Sequence, residues 1–160
     1  MEKLSLSEEF KNFMKKNPSA YLCSGFFVID KDLKNPDNKQ HFDYYIPSSE
    51  KMFSFQLEDG VKIVPVEVFN KKPKKISLSN FDFDDIENII IDEMEKQNIK
   101  NKIQKIILSL QKSNGKEFLI GTVFISMLGM IKVNIDINEK KIMEFEKKSF
   151  FDIMKVRKGK

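Results

Sequence analysis

The chain has 160 residues, of which 41% are hydrophobic and 15 are Phe, so it can build a hydrophobic core and lacks the composition of a disordered protein. Its net charge is +4, and residues 1–80 and 81–160 contribute +2 each, so neither half forms a charged arm. Arg157 is the one arginine among 28 basic residues, whereas arginine is the residue that proteins prefer for reading phosphates and bases. This balance argues against nucleic acid as a partner.

Cysteine content and hydropathy favour a protein of a reducing compartment. Cys23 is the single cysteine, which excludes an internal disulfide. Residues 1–10 are polar and charged, unlike a secretory signal peptide. The longest uncharged run, residues 118–131, is shorter than the ~20 residues that a membrane-spanning helix needs. We therefore expect a cytoplasmic protein with no membrane partner.

The first half of the chain predicts one helix followed by four strands. Ser5 or Ser7 begins the helix, since Ser5 has capping-box spacing to the glutamate three positions on, and Asn17-Pro18 ends it. Pro65 cannot donate a ladder hydrogen bond, which predicts that the fourth strand lies at a sheet edge or is broken there. The apolar stripe of the helix comprises Leu6, Phe10, Phe13 and Met14. The predicted strands are Tyr21–Ile29, Phe42–Ile46, Met52–Leu57 and Val61–Phe69.

The second half predicts the same order of elements. A helix over Asp84–Gln97 has acidic residues at its start, which the helix dipole favours, and Ile86, Ile90 and Met94 share its apolar face. Strict alternation of apolar and polar residues makes Ile131–Ile137 the clearest half-buried strand. The other predicted elements are strands Ile103–Gln111, Glu117–Met127 and Lys141–Glu146, a short helix at Ser149–Val156 and a basic tail, Lys155–Lys160.

The repeated layout predicts an α+β fold of two α-ββββ units, each an antiparallel sheet packed by a helix. At an offset of 80 residues, Phe10 and Met14 fall on Ile90 and Met94. The two units could be tandem domains or one continuous sheet. The predicted organisation is a helix and four-stranded meander over 1–70, a linker over 71–83, a helix and four strands over 84–148, and a short helix and basic tail over 149–160.

Residues 84–147 resemble the PepSY domain. The resemblance is carried by Lys132-Val-Asn-Ile-Asp136-Ile-Asn138-Glu139-Lys140-Lys141-Ile142, which reads as an alternating strand, an Asp, a short turn and a second strand. Phe118-Leu-Ile-Gly-Thr-Val123 stands where the family often has Trp-x-Val, and Glu139-Lys140 stands where its turn usually has Thr-Gly. The resemblance implies a cystatin-like α+β sheet and a binding or inhibitory role without catalysis.

Few residues have the pattern of a reactive or metal site. His41, the one histidine, shares a strand face with Asp43, so the two could act as an acid–base pair, although a solvated histidine is the simpler interpretation. Cys23 could be a nucleophile, but its apolar neighbours favour a buried structural thiol. The acidic residues Asp82, Asp84 and Asp85 fit helix capping better than cation binding, because the spacing is not that of a calcium loop. We expect no metal and no cofactor.

Aromatic residues are the best candidates for a binding site. Phe26 and Phe27 are adjacent, so a strand directs them to opposite faces, and one helix covers only one of those faces. We expect the other half of the chain to cover the second face, with an exposed binding face as the alternative. The candidate binding residues, on a surface or in a cavity, are Tyr44, Tyr45, Phe53 and Phe55.

Three functions are compatible with these patterns. The first is a non-enzymatic binding or regulatory module that engages a protein, a peptide or a second copy of itself through a sheet edge or an uncovered sheet face. The second is a small-ligand protein or enzyme that uses a cavity between helix and sheet, with Tyr44, Tyr45, His41 and Asp43 as its polar groups. The third is a weak nucleic-acid binder that uses the basic tail and the lysine run Lys71, Lys72, Lys74 and Lys75, although such runs are more often solvated linkers.

Overall fold

A computed structural model describes residues 1–69, 71–77 and 82–149. Its helices are α1 (Glu2–Leu6), α2 (Glu8–Lys16) and α3 (Phe83–Lys96). Its strands are β1 (Tyr21–Asp30), β2 (Lys39–Ile46), β3 (Lys51–Gln56), β4 (Lys62–Val66), β5 (Ile103–Ser113), β6 (Lys116–Ile125), β7 (Gly129–Asp136) and β8 (Lys141–Ser149). The eight predicted strands are present with small shifts at their ends. The predicted helix over residues 149–156 lies outside the described residues except for Ser149, which ends β8.

Side-chain caps define the starts of the two longer helices. Ser7 caps α2 and accepts a hydrogen bond from the Phe10 backbone N–H at 3.2 Å. Asp82 caps α3 in the same way, accepting from the Asp84 N–H at 3.1 Å. The five-residue helix α1 was not predicted, and it turns Leu6 outward, so Leu6 is 66% exposed and is not part of the apolar stripe of α2.

All eight strands form one antiparallel sheet in the order β4-β3-β2-β1-β5-β6-β7-β8. The two halves meet where β1 pairs with β5, with Gly25 opposite Leu110 and Asp30 opposite Lys105. Of the two arrangements that the sequence left open, the chain has the continuous sheet. Pro65 lies in β4, and the prediction that this strand is at an edge is confirmed.

The described helices pack on one face of this sheet. Phe13 of α2 stacks edge-on against Phe55 at a centroid distance of 5.0 Å, and Phe83 of α3 stacks against Phe27 at 4.9 Å. Strand residues on this face are fully covered, as Ile106 and Val123 at 0% exposure show. The expectation that the second half covers the opposite face of the first is therefore wrong, because the halves join side by side through β1 and β5.

The segment 71–77 fills a split in the middle of the sheet. β1 pairs with β5 only from Gly25 onward, so the start of β1 has a free edge there. Ile76, which is buried, donates its N–H to the Leu22 carbonyl at 2.8 Å, and Ser77 donates its N–H to the buried Glu117 carboxylate at 2.6 Å. Backbone groups that the split would leave unpaired are thereby satisfied.

Candidate binding surface

No described helix covers the face of the sheet opposite α2 and α3, although Val28 and Tyr45, which point to this face, are buried. We call it the open face, and a group of its apolar side chains lies on the central strands: Phe26, Ile107, Phe118, Ile120, Phe124 and Met130. Each is at least partly exposed, with Phe26 at 37%, whereas their neighbours on the helix face are buried. Alternation along a strand produces this contrast, since successive side chains point to opposite faces.

Strand register brings these side chains into one patch. Phe26 lies opposite Ser109, which in turn lies opposite Ile120, and Phe124 lies opposite Met130. The patch thus runs over four neighbouring strands, β1, β5, β6 and β7, a width of about 14 Å at the usual strand spacing. Clustered apolar groups of this kind on a soluble domain commonly mark an interaction site.

Two ion pairs on the open face lie beside the patch. The Lys105 ammonium lies 3.4 Å from the Asp30 carboxylate, and the Lys132 ammonium lies 3.1 Å from that of Glu144. Hydrogen bonds from the Asp37 and Asp32 backbone N–H groups, aided by the nearby lysine, lower the pKa of Asp30. The patch therefore has an apolar centre and a polar rim, as protein interfaces commonly do.

The four predicted binding residues do not form one surface. Tyr44, Phe53 and Phe55 point to the helix face, where they pack against Phe10 and Phe13 of α2. Tyr45 points to the other face, is 4% exposed and lies 5.6 Å from the Tyr21 ring. Burial raises the pKa of Tyr44 to about 12. Three of the four are core residues beneath a helix.

The predicted polar groups of a helix–sheet cavity also separate. His41 and Asp43 lie on the open side of the sheet, away from Tyr44. The His41 Nε2 lies 2.6 Å from the Glu58 carboxylate, and the Asp43 carboxylate accepts a hydrogen bond from the Ser24 hydroxyl at 2.7 Å. Each polar group thus has its own partner, and the set does not converge on a cavity.

Cys23 is the extra residue of a β-bulge in β1 and is 8% exposed. Its Sγ lies 3.4 Å from the Met52 sulfur, and its thiol donates to the Asp43 carbonyl at 3.3 Å. Burial raises the pKa of the thiol to about 11, so the reactive thiolate is scarce at neutral pH. This environment is that of a structural cysteine.

The lysine run lies beside Tyr45. All four of its side chains are exposed, and Lys71 and Lys72 line a cleft of about 390 Å³ together with Tyr45. The Lys75 carbonyl accepts a hydrogen bond from the Lys112 ammonium at 3.0 Å. The basic tail that the sequence associates with this run lies outside the described residues.

The acidic residues at the start of α3 have structural roles. Asp82 caps the helix, and the Asp85 carboxylate lies 2.9 Å from the Lys140 ammonium. Within the described ranges, no three His, Cys, Asp or Glu side chains are placed to hold a metal ion. No helix in the same ranges is both long and apolar enough to cross a bilayer.

Asp136, which belongs to the pattern that resembles PepSY, closes a turn. Its carboxylate accepts hydrogen bonds from the Asn138 and Glu139 backbone N–H groups at 3.0 and 3.1 Å. These bonds, with the Lys116 ammonium, lower the pKa of Asp136. The residue thus stabilises the β7–β8 connection.

The two sheet edges differ in character. Every residue of β4 is exposed, including Ile63, Val64 and Val66. In contrast, β8 carries charged side chains along most of its length, a common protection against strand addition. The β4 edge is therefore the more accessible of the two to an added strand.

A separate groove lies on the helix side at the end of α3. It encloses about 750 Å³ between α3, the α3–β5 connection and the β1–β2 loop. Its apolar lining includes Ile91, Met94, Ile99 and Ile103, and Leu33 stands at its mouth with 99% of its surface exposed. This groove was not predicted from the sequence, whereas an exposed sheet face was the alternative that the adjacent residues Phe26 and Phe27 left open.

Comparison with known proteins gives information about the fold alone. No family model matches the chain, and no curated protein matches it. The crystal structure of a putative lipoprotein from Clostridium difficile 630 is similar, with a TM-score of 0.59 over 88% of this chain and 91% of the other. The two sequences are 11% identical, so the likeness concerns architecture and says nothing of ligand or activity.

Proposed function

We propose that the protein is a non-enzymatic binding module that engages a protein or peptide through the open face. The observation that carries this proposal is the apolar patch on a sheet face that no described helix covers. A single α-helix or a strand pair laid across Phe26, Ile107, Ile120 and Phe124 would remove their apolar surface from water. The paired charges around the patch would remain solvated.

The chemistry of the described residues supports binding rather than covalent catalysis. The Cys23 thiol is buried and its pKa is raised, which disfavours it as a nucleophile. The pattern of the second half that resembles PepSY carries the same implication of binding without catalysis. The exposed β4 edge offers a second route on the same sheet, strand addition by an extended peptide.

The order of the strands supports an internal duplication. From the centre outward, the sheet runs β1 to β4 on one side and β5 to β8 on the other, and α2 and α3 precede the respective sets. We infer two α-ββββ units related by a pseudo-twofold axis between β1 and β5. Superposition of the two halves in an experimental structure should then match β1 with β5 and β4 with β8, and any other equivalence would contradict the inference.

Selection of peptides on the protein tests the binding proposal. A displayed random-peptide library is panned on the wild type, and each selected peptide is then measured against the Phe26→Lys/Ile120→Lys variant. We expect at least about a 10-fold loss of affinity for each anchor removed. The matched control is Ile63→Lys, because Ile63 in β4 lies opposite Phe55, on the helix side of the sheet, and its exposure of 38% matches the 37% of Phe26.

The two variants separate the open face from the edge. Loss of binding in the open-face variant alone supports the proposal, whereas loss in Ile63→Lys alone assigns binding to the β4 edge. Peptides that bind both variants as tightly as the wild type would contradict both routes. Circular dichroism of each variant checks that the sheet is intact.

A further inference from the structure

We propose that a second copy of this chain docks on the groove at the end of α3, with Leu33 of each protomer inserted into the groove of the other. The proposal is independent of the open face, which lies on the other side of the sheet. It rests on the exposed side chain of Leu33, on the apolar groove beside it, and on the charged side chains around both.

Leu33 is an exposed apolar side chain on an ordered loop. Single exposed leucines are common on protein surfaces, and Leu33 is one of them, with 99% of its surface exposed beside an apolar groove. The Asp30 carboxylate accepts hydrogen bonds from the Asp32 and Asp37 backbone N–H groups at 3.0 and 2.9 Å. The Asn38 side-chain oxygen accepts from the Asp30 N–H at 2.8 Å.

One further contact lies within this loop, and another ties it to the body of the protein. The Asp32 carboxylate accepts a hydrogen bond from the Lys34 backbone N–H at 2.8 Å, next to Leu33 itself. The Lys31 ammonium forms an ion pair with Glu87 of α3, which ties the loop to the wall of the groove. Because Leu33 is held outward before any partner arrives, docking costs little conformational entropy.

The groove offers an apolar surface to such a side chain. Its volume of about 750 Å³ is within the range of ligand pockets, and Ile91, on its α3 wall, is 36% exposed. Ile99 and Ile103 line the same groove and are partly buried. A leucine inserted here would exchange water for apolar contacts on both partners.

Leu33 and the groove lie on the same surface of the protein, and this favours a second copy of the chain over a foreign partner. A two-fold interface places the same patch on both subunits, so each contact occurs twice. Since Leu33 stands at the mouth of its own groove, an axis passing near the mouth lets both leucines enter at once. A foreign peptide would fill the groove but would leave Leu33 unexplained.

The charges around the groove are compatible with this pairing. Lys100, Lys102 and Glu95 line the groove and are exposed, and within the described residues none of the three has an ion-pair partner. If the charges around the groove were all of one sign, two protomers would repel each other there, whereas this rim carries charges of both signs. In a two-fold complex the lysines of one protomer can face Glu95 of the other.

Sedimentation velocity of the full chain over about 1–300 μM tests for the dimer. Leu33→Ser should raise its dissociation constant by about 100-fold or more, because each dimer loses two buried leucines. The control is Phe69→Ser, since Phe69 is also apolar and 76% exposed but does not line the groove. Thermal unfolding checks that both variants fold.

Cross-linking tests the geometry directly. Leu33→Cys and Ile91→Cys are prepared as separate variants, mixed and oxidised, and the disulfide-linked peptides are identified by mass spectrometry. A bond between position 33 of one chain and position 91 of the other is expected. The native Cys23 is buried and competes poorly.

Three results of the sedimentation and cross-linking experiments would overturn the proposal. They are a monomer at all concentrations, a dimer that Leu33→Ser leaves unchanged, and oxidation that gives no bond between positions 33 and 91. A monomeric wild type that binds the dye anilinonaphthalene sulfonate, with binding lost in Ile91→Ser, would also overturn it and would assign the groove to a small apolar ligand.

Discussion

Gly121 is the position where the sheet tolerates a side chain least. It lies in β6 between Leu108 of β5 and Val133 of β7. A Cβ atom placed on Gly121 would come within 1.8 Å of the Ile107 carbonyl oxygen and 2.9 Å of its carbonyl carbon. These are backbone atoms of the neighbouring strand and cannot rotate away. Gly121→Ala must therefore move β5 and β6 apart by at least 1.2 Å to reach the 3.0 Å separation that real Cβ atoms respect.

We expect Gly121→Ala to lower the free energy of unfolding by about 3 kcal/mol. Overpacking typically costs about 1–3 kcal/mol, and lost ladder hydrogen bonds add about 1 kcal/mol each. Gly115→Ala is the control, because Gly115 has a φ of +75° but no atom within 4 Å of its Cβ position. It should lose only about 1 kcal/mol, the cost of a left-handed alanine.

Urea unfolding followed by far-ultraviolet circular dichroism measures both variants. The midpoint should fall further for Gly121→Ala than for Gly115→Ala, with the slope of the transition unchanged. If the two variants lose the same free energy within about 0.5 kcal/mol, β5 and β6 do not approach as closely as described, and the reasoning is refuted.

Three further predictions concern single side chains. Glu117→Leu should lower the free energy of unfolding by about 2 kcal/mol, because it leaves the Ser77 N–H without its acceptor at 2.6 Å. Glu117→Gln keeps an acceptor and should lower it less. Equal losses of the two variants in urea unfolding would contradict this. Asn134→Val should raise the free energy of unfolding by about 1 kcal/mol, since the Asn134 side-chain oxygen is buried and has no hydrogen-bond partner among the described residues. A thermal unfolding midpoint at or below that of the wild type would contradict this. Because burial raises the pKa of Cys23 from 9.0 to about 11, the unfolded chain loses this proton first, so stability should fall between pH 9 and 11 by roughly 2–3 kcal/mol. Cys23→Ala should flatten that decline, and parallel stability curves for the two proteins would exclude the thiol as its cause.

Local features of the sequence predicted the individual elements well. The alternation in Ile131–Ile137 corresponds to β7, whose Ile131, Val133 and Ile135 side chains are fully buried. Pro65 indicated an edge strand because proline has no backbone N–H to donate, whatever the rest of the fold. Helix caps and turn residues act within a few positions of the chain, so they can be read without knowledge of the fold.

The joining of the halves could not be predicted in the same way. Pairing of β1 with β5 brings together residues about 80 positions apart, and no local pattern favours it over two separate sheets. The five-residue helix α1 is too short for periodicity to show. The bulge at Cys23 depends on the register between β1 and β2 rather than on the cysteine itself.

The candidate site illustrates the same limit. Tyr44 and Tyr45 are neighbours in a strand, so alternation alone places them on opposite faces, and they could not both belong to one surface. Alternation also separates Phe118, Ile120 and Phe124 from Leu119 and Val123. Which of these two faces the helices cover is decided by tertiary packing, and this choice distinguishes core from candidate binding surface.

Hydroxyl-radical footprinting of the free protein and of its complex with a selected peptide tests the binding surface most directly. The account predicts that Phe26, Phe124 and Met130 are oxidised readily in the free protein and become protected in the complex, while Phe27 and Met94 are protected in both. Oxidation of the open-face residues that is slow in the free protein, or unchanged by the peptide, would contradict the claim that this face is open and binds.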